Sequence, residues 1–179
     1  MEFGYSIAGF FVGAIVGLTG VGGGSLMTPL LVLLFGIHPA VAVGTDLLYA
    51  ALTKAGGALV HGRNQAVDWR IVTGLGSGSV PAAALTLWWL STHSSSAYGS
   101  ASIISGTLGI ALVLTACALL FRKKLQAVAE RPGIREWRER NLRMLTVGTG
   151  AILGVLVTIS SVGAGALGTA ALVFLYPRL

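Results

Sequence analysis

The sequence interrupts an apolar run with glycines at two places, and the two places match each other without a gap. Residues 20–25 read Gly-Val-Gly-Gly-Gly-Ser, and residues 161–166 read Ser-Val-Gly-Ala-Gly-Ala. The pairs that match at this offset of 141 residues are Gly9 and Gly150, Gly13 and Gly154, Val21 and Val162, Gly22 and Gly163, Gly24 and Gly165, Leu26 and Leu167, and Thr28 and Thr169. So regular an internal repeat predicts two copies of one supersecondary unit. In a membrane chain it is typical of a transporter whose site lies between the copies.

The two copies are unequal in length. The first is followed by residues up to about Arg122, whereas the second reaches Leu179, two residues beyond Pro177. Positions that match Asp46 and Lys54 would lie beyond 179. We therefore expect one repeat plus the opening of a second, in either a truncated product or a fragment of a protein roughly half as long again.

The composition predicts an integral membrane protein. Hydrophobic residues make up 54% of the 179 residues and charged residues only 10%, whereas soluble domains carry about 25% charged residues. The chain begins Met1-Glu2-Phe3-Gly4 without the basic start of a signal peptide, so we expect the first apolar segment to be retained. The expected fold class is all-α, a polytopic membrane protein of two repeats with glycine-broken helices, in the cytoplasmic membrane.

The positive charge is concentrated in one segment. Residues 122–143 hold eight Lys or Arg against Glu130, Glu136 and Glu139, and so supply +5 of the net +6. Basic loops between spans set membrane topology, so this charge indicates a cytoplasmic loop and no nucleic-acid partner. Loop 61–70 shares that side, because two spans separate the loops, and loop 92–97 carries no Lys or Arg. The predicted parts are residues 1–121, the first membrane repeat, 122–143, the basic loop, and 144–179, the start of the second repeat.

The apolar run of residues 5–35 is too long for one straight span of about 20 residues. Irregular backbone at membrane depth must be buried in protein or line a cavity. The two pieces therefore form either a hairpin of short helices or one discontinuous span. The remaining predicted spans cover residues 41–60, with Pro39 in the first helical turn, and 71–90, 100–121 and 144–160. Within the basic loop we expect a turn at 131–133 and a separate surface helix at 134–143.

The glycine-rich breaks are candidate anion sites. A helix that restarts at Ser25 leaves its first N–H groups unpaired, and these groups together with the helix dipole attract an anion. The second break, with Gly163 and Gly165, would supply a facing set. The alternative is that the glycines only let helices pack closely. A phosphate loop is excluded, because Ser25-Leu26-Met27 follows the glycines in place of Gly-Lys-Ser or Gly-Lys-Thr.

One face of the 41–60 span is polar. Asp46, Tyr49 and Thr53 follow each other at helical spacing, and Lys54 lies at the edge of this face. An ionisable group inside a span costs at least about 2.5 kcal/mol, so Asp46 and Lys54 are candidates for function. Asp46 is a candidate to accept a coupling proton or to cap a broken helix. Lys54 either extends to the interface or contacts substrate.

The sequence contains no recognisable catalytic or metal-binding set. Cys117 is a single cysteine within an apolar segment, and His38, His61 and His93 lie at span ends or in a loop. No Ser, His and acid set and no His-Glu-x-x-His pattern is present. We expect neither a cofactor nor a metal, and a membrane-embedded enzyme is the least favoured reading.

Three segments resemble the TauE/SafE family of sulfite-exporter-like membrane permeases. They are Gly17-Leu18-Thr19-Gly20-Val21-Gly22-Gly23-Gly24-Ser25-Leu26, His38-Pro39-Ala40 and Val43-Gly44-Thr45-Asp46. The likeness covers residues 5–90 and 147–177. It implies a two-repeat helical permease that moves small sulfur-containing anions, such as sulfite or organosulfonates, usually outward.

The family motif maps onto Gly20, Gly22, Gly23, Gly24, Thr45 and Asp46, and in the second copy onto Gly163 and Gly165. Many members carry Ser where Asp46 stands, and the second Gly-Thr motif is missing from this sequence. Together with the polar face, the expected substrate-contacting residues are Gly20, Gly22, Gly23, Gly24, Ser25, Thr45, Asp46, Tyr49, Lys54, Gly163 and Gly165. The expected partners are the bilayer, a small anion, and either further copies of the chain or a complementing C-terminal half. The alternative is a non-transporting truncated protein or a subunit of a larger permease.

Overall fold

The computed structural model describes residues 2–19, 22–63, 67–93, 97–163 and 165–177, and its regular elements there are helices. In chain order they are α1 (Glu2–Thr19), a 3-10 turn (Gly23–Ser25), α2 (Met27–Leu33), α3 (Pro39–Arg63), α4 (Trp69–His93), α5 (Ala97–Leu120), α6 (Arg122–Ala129), α7 (Pro132–Ser160) and α8 (Ala166–Leu175). The all-α prediction is confirmed over these residues, and α3 begins at Pro39 as expected. That the two copies form one repeated structural unit stays a prediction.

Helices end at both glycine-rich stretches. α1 ends at Thr19, and α7 ends at Ser160 with Ser161 in the left-handed conformation (φ 57°), where its N–H donates to the carbonyl of Val157. Gly22 and Gly163, which match in the repeat, have φ of 97° and 112°. Residues with a Cβ rarely adopt such angles, so glycine is favoured at both positions. Helix α2 starts at Met27 after the 3-10 turn, rather than at Ser25 as predicted.

Helices α4 and α7 form the most extensive helix pair, and glycines bring their backbones together. A Cβ at Gly78 of α4 would collide with the carbonyl of Val147, and a Cβ at Gly150 of α7 would collide with the carbonyl of Leu75. Small residues allow such close approach, which replaces the hydrophobic driving force that helices lack inside a bilayer. Other elements are positioned against this pair, since α5 and α8 both contact α7.

The basic segment is more helical than the sequence suggested. Helix α6 covers Arg122–Ala129, and α7 covers Pro132–Ser160. Asn141 departs from helical angles, with φ −110° and ψ 15°, and this kink divides α7 into two helical segments, 132–140 and 142–160. The first segment covers most of the helix predicted at 134–143. The turn lies before Pro132, whose fixed φ suits the first helical turn. The expected turn at 131–133 is therefore shifted toward the N-terminus.

A buried arginine ties the basic segment to the second copy. Arg138 is 4% exposed, and its guanidinium donates to the carbonyl of Ala129 at 2.8 Å and to that of Phe174 at 3.0 Å. These carbonyls lie at the C-terminal ends of α6 and α8, where the helix dipole favours a cation. Arg138 therefore anchors α6 and α8 to the start of α7, a role that the sequence did not reveal.

Two helices are long and apolar enough to cross a membrane, counting only the described residues. They span Trp69–Thr92 and Pro132–Ser160. Ser6–Thr19 and Gly23–Leu33, with 120° between them, make a third if the pair is one span and not a re-entrant hairpin. Helix α3 has 25 residues but is not among them; its polar stripe lowers its mean hydropathy. The assignment of α3 and α5 as spans stays a prediction.

We predict that Gly150→Leu lowers the thermal stability of the detergent-solubilised protein by at least about 1–3 kcal/mol, the usual cost of overpacking. The side chain would have to displace the α4 backbone at Leu75. The matched control is Gly148→Leu, because a Cβ at Gly148 meets nothing within 4 Å. Equal stabilities of the two variants in a thermal unfolding assay would contradict this packing.

Candidate functional site

The carboxylate of Asp46 joins the two glycine-rich breaks. Asp46 is 1% exposed, and its Oδ2 accepts a hydrogen bond from Thr28 Oγ1 at 2.9 Å and another from Ser161 Oγ at 2.7 Å. Thr28 belongs to α2, directly after the first break, and Ser161 belongs to the second break. Hydrogen bonds to a charged acceptor are stronger than neutral ones. Through one carboxylate, α3 therefore holds both breaks.

The two breaks also touch through their backbones. A Cβ at Gly24 would collide with the carbonyl of Ser161, and a Cβ at Gly22 would lie 3.3 Å from the Cα of Gly165. Gly24 is buried between Ser161 and the Asp46 carboxylate, whose Oδ2 is 3.0 Å from the same Cβ position. Glycine is thus required at Gly24 for close approach and not for an unusual dihedral angle.

The second break is also buried on the side that faces α5. Ser160, Ser161, Val162 and Gly163 are all buried, and Val162 packs with Leu108 and Ala111 of α5 in a hydrophobic cluster. The Ser160 hydroxyl accepts a hydrogen bond from the N–H of Val162 at 3.2 Å. This break is therefore held between α5 and the first break.

A cavity of about 400 Å³ opens beside the first break, between α1, α2 and α3. Its polar lining comes from α3 and consists of Thr45, Asp46, Tyr49, Thr53 and Lys54. Its other walls are Gly22, Gly23 and apolar or glycine positions of α1 and α2. The polar face predicted from helical spacing thus borders a cavity large enough for a small solute.

Asp46, which lines this cavity, has one buried oxygen without a partner. Its Oδ1 has no hydrogen-bond partner within the described part of the chain and lies 3.4 Å from where a Cβ on Gly23 would be. Lys54 lines the same cavity, and no ion pair with Asp46 forms among the described residues. The lining of the cavity therefore combines the Lys54 ammonium group, hydroxyl groups and the buried Asp46 carboxylate.

The predicted site residues divide into two groups. Gly22, Gly23, Thr45, Asp46, Tyr49 and Lys54 line the cavity, whereas Gly24, Ser25, Gly163 and Gly165 do not. Of the second group, Ser25 donates to the carbonyl of Gly22 at 2.8 Å. Gly20 lies outside the described residues. Which of these residues contact substrate stays a prediction.

Sequence reasoning missed Thr28 and Ser161 as partners of Asp46. Ser161 is separated from Asp46 by 115 residues, so no local spacing could pair them. A signal was present, because Ser161 replaces a glycine of the first break and Thr28 belongs to the repeat match. A hydroxyl beside a glycine-rich break was a sign that the break needs a polar partner.

We predict that Asp46→Ala destabilises the protein by about 1–3 kcal/mol for each buried hydroxyl that loses its acceptor. Asp46→Asn keeps a side-chain oxygen that both hydroxyls can reach, so it should retain most of the stability. Thermal unfolding in detergent measures both. Equal losses in the two variants would show that the hydrogen bonds are not what Asp46 contributes.

Gly24→Ala should loosen the contact between the breaks and destabilise the protein, since the methyl group would occupy the position of the Ser161 carbonyl. We expect a loss of at least about 1–3 kcal/mol. Gly44→Ala is the control, because a Cβ there meets nothing within 4 Å and alanine is the better helix former. A Gly24→Ala protein as stable as Gly44→Ala would rule out direct contact between the breaks.

Comparisons with known proteins agree with the resemblance. The profile of a family described as sulfite exporter TauE/SafE matches residues 5–179. Over 170 residues the chain is 38% identical to a Bacillus subtilis (strain 168) protein named probable membrane transporter protein YjnA. This alignment covers 95% of the present chain and 66% of YjnA. Over 70 residues it is 40% identical to the probable membrane transporter protein YunE of the same organism. That alignment covers 39% of the present chain and 26% of YunE.

The chain spans slightly less than two thirds of the length of the first relative. No solved structure matches it. The family match extends over nearly all of the sequence, including both breaks and the polar face of α3. The chain therefore belongs to the TauE/SafE family of membrane transporters.

Proposed function

We propose that this chain forms the substrate-binding part of a permease that moves small sulfur-containing anions, such as sulfite or an organosulfonate, out of the cell across the cytoplasmic membrane. The observation that carries the proposal is the cavity beside the first break, which combines Lys54 with the hydroxyls of Tyr49, Thr53 and Thr45. The printed family description, sulfite exporter, supports the substrate class.

An anion in this cavity would gain the Lys54 cation and the phenolic donor of Tyr49. The hydroxyls of Thr45 and Thr53 donate to the carbonyls of Val41 and Tyr49 and would have to turn away from them to donate to the anion. Lys54 is exposed to the cavity and can approach an oxyanion without leaving its helix. Charge-assisted hydrogen bonds of this kind are about twice as strong as neutral ones. Tyr49, one helical turn before Thr53, offers a phenolic O–H at the same wall. These three side chains are our proposed contacts for the anion.

Asp46 has a different role in this proposal. An ionised carboxylate repels an anion at short range, so Asp46 acts first by holding together the two breaks, of which the first lines the cavity. Its unpaired Oδ1 is the atom at which a coupling proton would be held. Protonation there would remove the repulsion and add a donor, which links proton binding to anion binding. The glycine backbones next to Oδ1 complete the cavity wall.

The proposed setting is a multi-pass protein of the cytoplasmic membrane with loops 61–70 and 122–143 inside. A complementing C-terminal half or further copies of the chain complete the permease. The matching positions of Gly22 and Gly163, with similar left-handed angles, support the two-copy architecture. The alternative function is that of a non-transporting subunit or truncated protein.

The test uses purified chain in detergent and in proteoliposomes. Sulfite should raise the melting temperature, with a stabilisation of about 2.7 kcal/mol at 100 times its dissociation constant. Lys54→Gln should weaken this binding about tenfold or more, the value of a charge-assisted hydrogen bond. Lys124→Gln, on α6 away from the cavity, is the matched control.

Labelled sulfite flux in the proteoliposomes separates the two functions. Binding together with flux above that of empty liposomes supports the permease. Binding without flux indicates a subunit that needs its complement. The proposed site is contradicted if sulfite neither binds nor crosses the membrane. It is also contradicted if the Lys54→Gln protein binds sulfite as tightly as the Lys124→Gln protein.

A further inference from the structure

Helices α4 and α7 run in the same direction, so their N-terminal ends lie on one side of the pair. A Cβ at Gly74 would lie 3.1 Å from Cγ2 of Thr146, and further along both helices a Cβ at Gly154 would lie 2.6 Å from the carbonyl of Ser79. Contact positions therefore advance together along the two helices, as they do in a parallel pair.

Two arginines meet at this N-terminal end. Arg70 of α4 and Arg143 of α7 each come about one helical turn before the contact of Gly74 with Thr146. Both line a cavity of about 1180 Å³ between the two helices, which we call the α4–α7 cavity. Neither guanidinium forms an ion pair or a hydrogen bond with another residue in the part of the chain that the structure describes. Both charges are therefore available to a ligand.

Asp68 lines the same cavity but has another partner. Its Oδ1 accepts a hydrogen bond from the backbone N–H of Arg70 at 2.9 Å, so the carboxylate caps the start of α4. One carboxylate thus faces two guanidinium groups, and the cavity keeps an excess of positive charge. A ligand of this cavity should be an anion.

Beyond the arginines, toward the C-terminal ends of the helices, the cavity becomes a groove with small and apolar walls. The lining residues there are Thr73, Gly74, Ser77, Met144, Val147 and Gly148. The hydroxyls of Thr73 and Ser77 donate to the α4 carbonyls of Trp69 and Gly74, each at 2.8 Å. Because these hydroxyls are already bonded within their own helix, a hydrocarbon chain can cover them without breaking a hydrogen bond.

Exposed side chains place this end of the pair at the boundary of the bilayer. Trp69, directly before Arg70, is 63% exposed and begins the apolar span of α4. Exposed tryptophans are typical of the membrane interface. Met144, directly after Arg143, is 78% exposed, which suits contact with lipid. Cations at the level of the headgroups, followed by an apolar groove, complement the two parts of a phospholipid.

An adjoining cavity of about 530 Å³ limits the charge of the headgroup. It shares Asp68 with the α4–α7 cavity and is also lined by Glu130, Glu139, Arg135 and Arg138. Three carboxylates there oppose two guanidinium groups, and Arg135 is already paired with Glu139 at 2.9 Å. A second phosphate would be repelled on this side, so the two cavities together fit a headgroup with a single phosphate.

We propose that the α4–α7 cavity binds an anionic glycerophospholipid with one phosphate group. The phosphate lies between Arg70 and Arg143, and an acyl chain lies along the groove of Gly74 and Gly148. Arginine suits this role because its planar guanidinium binds phosphate through two parallel hydrogen bonds. Basic pockets between membrane helices bind anionic headgroups in this way. The inference does not depend on the solute that the protein moves, because this cavity shares no lining residue with the cavity proposed for sulfite.

The test measures lipid binding to the purified chain by native mass spectrometry in a neutral detergent. Phosphatidylglycerol and phosphatidylcholine with identical acyl chains are compared at equal concentration. We expect a several-fold larger lipid-bound fraction with phosphatidylglycerol. Arg70→Gln combined with Arg143→Gln should weaken phosphatidylglycerol binding about tenfold or more, since each loses a hydrogen bond to a charged group.

The matched control is Arg63→Gln combined with Arg131→Gln. It removes the same charge from exposed positions that line neither cavity. Non-specific attraction between a basic protein and an anionic lipid falls equally in both double variants. The control should therefore bind severalfold more phosphatidylglycerol than the Arg70 and Arg143 variant, and melting temperatures without lipid check that both are folded.

A further variant tests the apolar groove. A Cβ at Gly148 meets nothing within 4 Å, so Gly148→Leu fills the groove without a collision and leaves both arginines in place. We expect it to lower phosphatidylglycerol binding several-fold. Gly109→Leu on α5, where a Cβ also meets nothing within 4 Å, should bind as the wild type does.

Four results would overturn the proposal. Equal binding of the two lipids, or equal phosphatidylglycerol binding by the two double arginine variants, would contradict the headgroup site. Displacement of phosphatidylglycerol by inorganic phosphate would make free phosphate the ligand. Wild-type binding by Gly148→Leu would contradict the position of the acyl chain. The assay contains no sulfite, so its result does not depend on the proposed transport function.

Discussion

One buried carboxylate fixes the arrangement of this protein. Removing a carboxylate from water costs several kcal/mol unless hydrogen bonds replace the lost solvation. Asp46 receives two such bonds on a single oxygen, from Thr28 and Ser161. Because the donors come from parts of the chain that are far apart in sequence, satisfying this one group brings α2, α3 and the end of α7 together. The cavity proposed for the anion borders the structure that results.

Glycine serves the same arrangement in two distinct ways. At Gly22 and Gly163 it permits a left-handed backbone angle where the helices stop. At Gly24 and Gly150 it permits contact between backbones, with Ser161 in one case and Leu75 in the other. In a bilayer, where apolar side chains gain little from leaving lipid, such contacts are a main source of specific packing. The breaks are thus positions of tight packing as well as borders of a cavity.

Much of this architecture could be predicted from the sequence. Glycine clusters, Pro39 and the lengths of the apolar runs located the long helices, and helical spacing placed Asp46, Tyr49 and Thr53 on one face, which does line a cavity. These features depend on residues close in sequence. The partner of Asp46 depends on a contact between the copies, which periodicity does not encode.

Contacts between residues far apart in sequence also explain the other differences between the predicted and the observed structure. The basic residues of 134–143 suggested a surface helix, and the first segment of α7, before the kink at Asn141, covers most of this range. Arg138 within it is nevertheless buried and donates to carbonyls at the ends of α6 and α8. Net charge alone does not show which arginine finds carbonyl acceptors in the fold. Gly24 and Ser161 lie against each other, and the cavity opens on the side of Gly22 and Gly23. That the backbone amides of both breaks bind an anion together stays a prediction.

The account depends on the bond between Asp46 and Ser161, and a double-mutant cycle measures it directly. Unfolding free energies are determined in mixed micelles for the wild type, Asp46→Ala, Ser161→Ala and the double variant. We predict a coupling energy of about 1.5–3 kcal/mol, as expected for a hydrogen bond to a charged group. Effects that add within about 0.5 kcal/mol would mean that the two residues do not interact, and would contradict the claim that Asp46 holds the breaks together.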